Sequence, residues 1–287
     1  MEEKYKQKII KEITTNKTIC LLAPSFPVDF KYPDIVYKLR QIGFDKIFEL
    51  TYAAKIINQH YHTIIKNENK KQFIAANCPC TITYIENQFP EFKKNIINIA
   101  SPMVVMARFS KKKYPKKKCV FIGPCLAKQQ EAKKNKEVDF AITFKNLYEI
   151  FKYFEKEKKF RKIKKSKKNL QFDSLYNDYT KIYPLSGAVA KTMHYKKILK
   201  KNQIIVADGV IKIKEALEKM KINKNIKFLD ALFCKGGCIG GPGIISKNNL
   251  NTKIKKIKEY RKNAKKEKIG KHKGLFKYSK NLNVKRK

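Results

Sequence analysis

Phe233 to Gly243 reads F-C-K-G-G-C-I-G-G-P-G and holds two of the seven cysteines and five of the eleven glycines in the chain. Cys234 and Cys238 stand four positions apart around a glycine pair. Glycine lets the backbone take φ > 0 and approach a bulky inorganic group with no Cβ in the way. Thiolates beside freed backbone N–H groups suit an iron–sulfur cluster, because those N–H groups bond to its sulfurs. The competing reading is a glycine-rich turn with two reduced thiols. Two further cysteines, in Asn77-Cys78-Pro79 and in Gly123-Pro124-Cys125, also sit beside chain-breaking residues.

The elements that must position these residues alternate between strand and helix. Apolar runs at Thr18–Ala23, Asp45–Leu50, Phe73–Asn77, Lys118–Gly123, Val138–Thr143, Ile204–Asp208 and Ile226–Phe233 read as strands. Helical spacing covers Tyr32–Ile42 (ended by Gly43), Thr51–Ile65, Leu126–Lys134, Phe144–Phe154 (capped by Thr143), Val210–Met220 and Ile254–Tyr260. Ser186–Tyr195 reads as a further helix, Ser101-Pro102-Met103 as a turn, and Glu155–Asn169 as a solvated lysine run. Alternation of this kind predicts an α/β fold with mostly parallel sheet, whose ligands sit past the carboxyl ends of the strands. Pro24-Ser25, Cys78-Pro79, Pro124-Cys125 and Cys234–Cys238 all follow strand ends. Four cysteines are therefore expected on one side of the sheet, whereas Cys20 and Cys119 fall inside strands as core residues.

Composition bounds the partners. At 287 residues, 43% hydrophobic, with 18 Phe and 15 Tyr, the chain can bury a full core. The formal net charge is +43, yet only five of 67 Lys plus Arg residues are arginine, the fork-shaped donor that phosphate readers favour. Nucleic acid is not the expected partner. No apolar run reaches the roughly 18–20 residues of a membrane span. No apolar segment follows the charged start Met1-Glu2-Glu3-Lys4, so a leader peptide is not expected. An odd number of cysteines suits a reducing compartment, read as the cytoplasm. From Lys262 onward a mobile basic tail is expected.

Four thiolates could hold zinc or a [4Fe–4S] cluster. Structural zinc usually draws on paired C-x2–4-C knuckles, and here two ligands are single cysteines far apart in sequence. A cysteine nucleophile would want a histidine base, and none of His60, His62, His194 and His272 falls in an obvious loop position.

These loops resemble the active-site domain of the [FeFe], or iron-only, hydrogenases over nearly the whole chain to about residue 260. The resemblance rests on Asn77-Cys78-Pro79, on Pro124-Cys125-Leu126-Ala127-Lys128 followed by Glu131, and on Cys234-Lys-Gly-Gly-Cys238-Ile-Gly-Gly241. Phe121–Lys128 and Gly240–Gly243 look closest to the sensory-type or uncharacterised bacterial branches. The resemblance implies a two-lobed fold, mostly parallel sheets flanked by helices with the cluster site between the lobes, over residues 1–260 before a basic tail at 261–287. It implies that Cys78, Cys125, Cys234 and Cys238 hold the [4Fe–4S] half of an H-cluster. Cys238 would bridge to a diiron half carrying CO, cyanide and a dithiolate. Lys128 would donate to a cyanide, Pro24 and Ser25 would form the other cyanide-contacting loop, Glu131 would relay protons, and Met103 would pack near the diiron half. An ordinary surface lysine, a solvated helix carboxylate and a core methionine are the rival readings of Lys128, Glu131 and Met103.

The activity so implied is reversible 2H⁺ + 2e⁻ ⇌ H₂, slow or in the service of H₂ sensing. The alternative is a non-catalytic [4Fe–4S] protein of the same fold for electron transfer or assembly. Implied partners are a ferredoxin or a separate iron–sulfur subunit, together with maturation proteins that install the diiron half. Departures are equally specific. Asn77 stands where active members carry a proton-passing cysteine, and Asn58-Gln59-His60-Tyr61-His62 replaces the outer relay glutamates. Gly123 and Leu232 take the places of methionines, and Cys80 is expected to point away from the site.

Overall fold

The computed structural model describes residues 2–15, 17–68, 70–173, 179–264 and 281–286. In chain order these form α1 (Glu3–Thr14), β1 (Thr18–Leu22), α2 (Asp34–Ile42), β2 (Lys46–Glu49), α3 (Thr51–Asn67), β3 (Phe73–Ile74), α4 (Pro79–Gln88) and α5 (Pro102–Lys113). There follow β4 (Lys118–Gly123), α6 (Ala127–Lys133), β5 (Phe140–Thr143), α7 (Phe144–Lys156) and α8 (Lys167–Leu170). The second half adds α9 (Ala188–Thr192), β6 (Ile204–Asp208), α10 (Val210–Ile222), β7 (Phe228–Leu232) and α11 (Leu250–Ala264).

Two sheets organise the molecule. The first has the order β2-β1-β4-β5 and the second β3-β7-β6, and every ladder is parallel. All residues of β1 and β7 are buried, as expected of parallel strands covered on both faces. A large apolar cluster surrounds the first sheet, and a smaller one, including Ile74, Ile85, Leu217, Met220 and Leu229, surrounds the second. The α/β architecture with two lobes is therefore as the sequence implied.

Parallel pairing puts the important loops at one end. Leu22 pairs with Ile122, so Pro24-Ser25 and Pro124-Cys125 leave adjacent strands together. Ile74 pairs with Leu229, so the Cys78 and Cys234 loops leave adjacent strands of the second sheet. The amide of Gly243 donates to the Pro124 carbonyl at 2.8 Å, tying the two sets of loops together.

Local signals account for most boundaries. Gly43 adopts φ 119° and ends α2, and Thr143 and Asn146 form the capping box that starts α7. That helix then buries Phe144, Leu147, Ile150, Phe151 and Phe154, each worth about 1.5–3 kcal/mol of removed apolar surface. The expected turn at Ser101-Pro102-Met103 is instead the start of α5. Pro102 occupies the first helical turn, where a missing N–H costs nothing. The last helix also runs further than the expected Ile254–Tyr260. Helix α11 runs to Ala264, and residues 265–280 lie outside the described residues. The last described piece is packed: Arg108 donates to the carbonyls of Asn283 and Lys285 at 3.0 and 2.7 Å, and Val284 is buried.

Candidate metal centre

Cys78 caps α4 from its N-terminal end, with Pro79 in the first turn. Cys125 lies just before α6, and its sulfur accepts from the backbone N–H groups of Ala127 and Lys128. Those N–H groups at the start of α6 favour the Cys125 thiolate. Cys234 and Cys238 belong to the glycine loop after β7. Gly236 and Gly237 there both take φ 80°, and a Cβ at Gly237 would fall 2.6 Å from the Pro184 carbonyl. Cys238 N donates to that carbonyl at 2.8 Å, and Asp208 at the end of β6 accepts from Gly236 N. These constraints need glycine and make the loop a fixed cradle.

Cys234 and Cys238 respond to the other thiols. Cys234 is pushed up to about 11, first by burial and then by the charges of Cys78 and Cys125. Cys238 is pushed up further by the same burial and by Cys78, Cys125 and Cys234. Cys125 moves the other way, to about 6, chiefly because the Cys80 thiol donates a hydrogen bond to its sulfur and also because the Lys128 charge is near. Mutual repulsion among ligands is what a cationic metal core relieves, replacing the protons as it binds. Four thiolates on strand-end loops would offer one sulfur ligand to each iron of a four-iron cluster. The donor set fits an iron–sulfur cluster.

Lys128 is buried, not a surface lysine. Its ammonium pairs with Glu131 Oε2 at 2.6 Å and reaches the Asn77 carbonyl at 3.5 Å, just before Cys78. Glu131 is correspondingly held by that pair while lining a cleft of about 880 Å³ together with Pro79, Cys80, Ala127, Phe233 and Arg286. Met103 is fully buried on α5. Ser25 is fully buried with Oγ unpartnered, as are Ser101 Oγ and Asn77 Oδ1. Such atoms normally find a partner, so three near these loops mark a place for a polar guest. Pro24 leads into the short 3-10 turn Phe26–Val28.

Three features escaped the sequence reading. Cys80 does not point away: it bonds to Cys125 and feels Cys78 and Cys234 as well. At Gly123, which takes the place of a methionine, the Phe121 ring fills the space where a Cβ would stand. Lastly, Asp230 on β7 and Tyr183 are buried polar groups on the Cys238 side, with Asp230 Oδ1 and Tyr183 OH unpartnered. Burial pushes Asp230 up to about 6 against the N–H donors of Ala190 and Val189. Tyr61 lies close to both groups, and its hydroxyl accepts from Ala76 N at 2.7 Å. The strand cysteines Cys20 and Cys119 are core residues, as expected. His62 contacts the Met193 carbonyl at 2.9 Å and stands apart from the thiols.

Residues 16–242 match the family model described as the iron-only hydrogenase large subunit, C-terminal domain. The chain belongs to this family. Iron hydrogenase 1 of Clostridium pasteurianum is 24% identical over 276 residues, covering 77% of this chain and 47% of that one. The NADP-reducing hydrogenase subunit HndD of Solidesulfovibrio fructosivorans is 23% identical, covering 71% and 44%. The chain thus spans about half the length of the curated relatives it matches. Among solved structures, a variant of [FeFe]-hydrogenase HydA1 from Chlamydomonas reinhardtii superposes with a TM-score of 0.63 at 16% identity, covering 89% of this chain and 88% of that one. The HydA(deltaEFG) structure, which concerns stepwise H-cluster assembly, gives 0.62 at 15% identity. Family membership implies iron–sulfur chemistry, and the structural likeness gives the fold. Among the described residues no helix is long and apolar enough to cross a membrane.

Proposed function

We propose that the chain is an H-cluster protein that interconverts protons, electrons and H₂ slowly, or senses H₂. Cys78, Cys125, Cys234 and Cys238 would hold the [4Fe–4S] half, and Cys238 would join it to the diiron half. The bound group would supply the electrons and the open iron site for hydrogen chemistry. The observation that carries this reading is the gathering of four cysteines with a buried ammonium, Lys128, on one set of strand-end loops.

Each of this chain's residues then has a physical task. Lys128 offers a charge-assisted bond to an anionic ligand such as cyanide. Ser25 Oγ, buried and unpartnered, is a second donor on the Pro24 side. Met103 excludes water with a soft apolar side chain. Glu131, at the cleft and paired with Lys128, places a carboxylate where it could pass protons between solvent and the site. Ferredoxin or a separate iron–sulfur subunit would bring electrons in the cytoplasm, and maturation proteins would install the diiron half. Residues 1–260 act as the cluster domain and 261–287 as its basic extension.

A second reading, a non-catalytic [4Fe–4S] protein, is favoured by one feature. Asn77 stands where a proton-passing thiol is expected, and its buried Oδ1 has no partner. An infrared spectrum taken after co-expression with maturation proteins separates the two. CO and cyanide bands with H₂-dependent changes support the first reading. Iron and acid-labile sulfide without those bands support the second, and neither signal removes both.

A further inference from the structure

A second cavity, of about 540 Å³, lies between α3 and the end of α9, and no cysteine lines it. Lys55 and His62 of α3 form one wall, and His194 and Lys197, just past α9, form another. No Asp or Glu is among its described lining residues. Two ammonium groups and two imidazoles with no carboxylate between them favour an anion.

The cavity also holds an unmet acceptor. Asn58 is buried, its Nδ2 donates to Thr192 Oγ1 at 2.7 Å, and Thr192 donates in turn to the Ala188 carbonyl at 2.6 Å. That relay fixes which way the amide points and leaves Asn58 Oδ1 with no partner. A buried acceptor so placed calls for an O–H or N–H donor from whatever fills the cavity. The hydroxyls nearby are committed elsewhere: Thr180 donates to the Thr51 carbonyl, Thr63 to Gln59 and Tyr179 to Lys191. His62 uses Nδ1 on the Met193 carbonyl, so Nε2 is the nitrogen left for a ligand. His194 is held at φ 60° with its ring stacked on Tyr179, centroids 4.8 Å apart. A left-handed backbone at a cavity wall is the kind of strain that ligand sites retain.

We propose that this cavity binds hydrogen phosphate, free or as a singly protonated monoester. Such an ion combines the two things the walls require: negative charge for Lys55 and Lys197, and a P–O–H donor for Asn58 Oδ1. Sulfate has the same shape but no proton, so it would set oxygen against oxygen at Asn58.

Calorimetric titration of the full-length protein at low ionic strength and neutral pH, against a chloride control, tests this. It holds with or without a bound cluster, because no cysteine lines the cavity. Inorganic phosphate should bind at one site per chain, and sulfate at least about tenfold more weakly. Glycerol phosphate distinguishes the sources: tighter binding than inorganic phosphate supports a monoester, and weaker binding supports the free ion. Lys55→Met combined with Lys197→Met should abolish binding, and Lys219→Met on α10 should leave it unchanged. Asn58→Leu should lower phosphate affinity to that of sulfate. Phosphate that binds no better than sulfate or chloride overturns the proposal, as does binding that survives the loss of both cavity lysines. Equal weakening by Lys219→Met also overturns it, since that is the mark of diffuse attraction to a chain of net charge +43.

Discussion

The two sides of the cysteine site are built on opposite electrostatic plans. On the Cys125 side, helix N–H groups, the Lys128 ammonium and the Cys80 thiol all stabilise negative charge, and the thiol is lowered to about 6. On the Cys238 side, burial and neighbouring thiolates raise the thiol, and nearby Asp230 and Tyr183 are buried with unpartnered oxygens. The first side favours a thiolate, the second a thiol whose proton a bound cation would displace. The difference teaches that one donor set can offer an incoming metal both an attachment point and a proton-releasing step.

Breaking the second side should have the largest effect. Cys238→Ser is expected to abolish stable cluster binding, read as loss of iron and sulfide after anaerobic reconstitution, with the fold retained by circular dichroism. On the first side, Lys128→Met leaves the Glu131 carboxylate half-buried and unpaired. Removing one partner of such a pair costs about 3–4 kcal/mol, measurable by urea denaturation. Lys128→Met with Glu131→Leu should recover most of that loss, because no buried charge is then left alone.

Asp230 sharpens the contrast through pH. Its carboxyl titrates at about 6 in the folded protein against an ordinary 3.8, so folding favours the protonated form. The stability it contributes is present below the ordinary value and is lost as pH rises through about 6. Asp230→Asn should therefore match wild type near pH 4 and exceed it by up to about 3 kcal/mol at pH 8. The smallest effect is expected at Tyr183. Removing its unpartnered buried hydroxyl in Tyr183→Phe should leave stability unchanged or raise it by about 1 kcal/mol, read as a small increase in Tm.

Much of the site was legible because its chemistry uses residue types that stand out. Cysteines beside Pro and Gly mark loops, and strand–helix alternation puts such loops at one sheet end. Helix α5 was hidden because Pro102 reads as a breaker, although it is well suited to a first turn. That helix is also buried from Pro102 to Ser110, so it offers no amphipathic stripe. Helix α1 was obscured by its charges, although Ile9, Ile10 and Ile13 form its buried face. Cys80 and Asp230 were missed for a different reason. Sequence separation carries no direction, and only the packing of α4 on α6 and of α9 on β7 decides what those side chains meet.

The central claim is that Cys78, Cys125, Cys234 and Cys238 together hold one four-iron cluster. Mössbauer spectroscopy of anaerobically reconstituted wild-type protein, combined with iron and sulfide analysis, tests it most directly. The account predicts four irons and four sulfides per chain with the signature of a [4Fe–4S] cluster. A single thiolate-bound ion, or protein that remains free of iron, would contradict it.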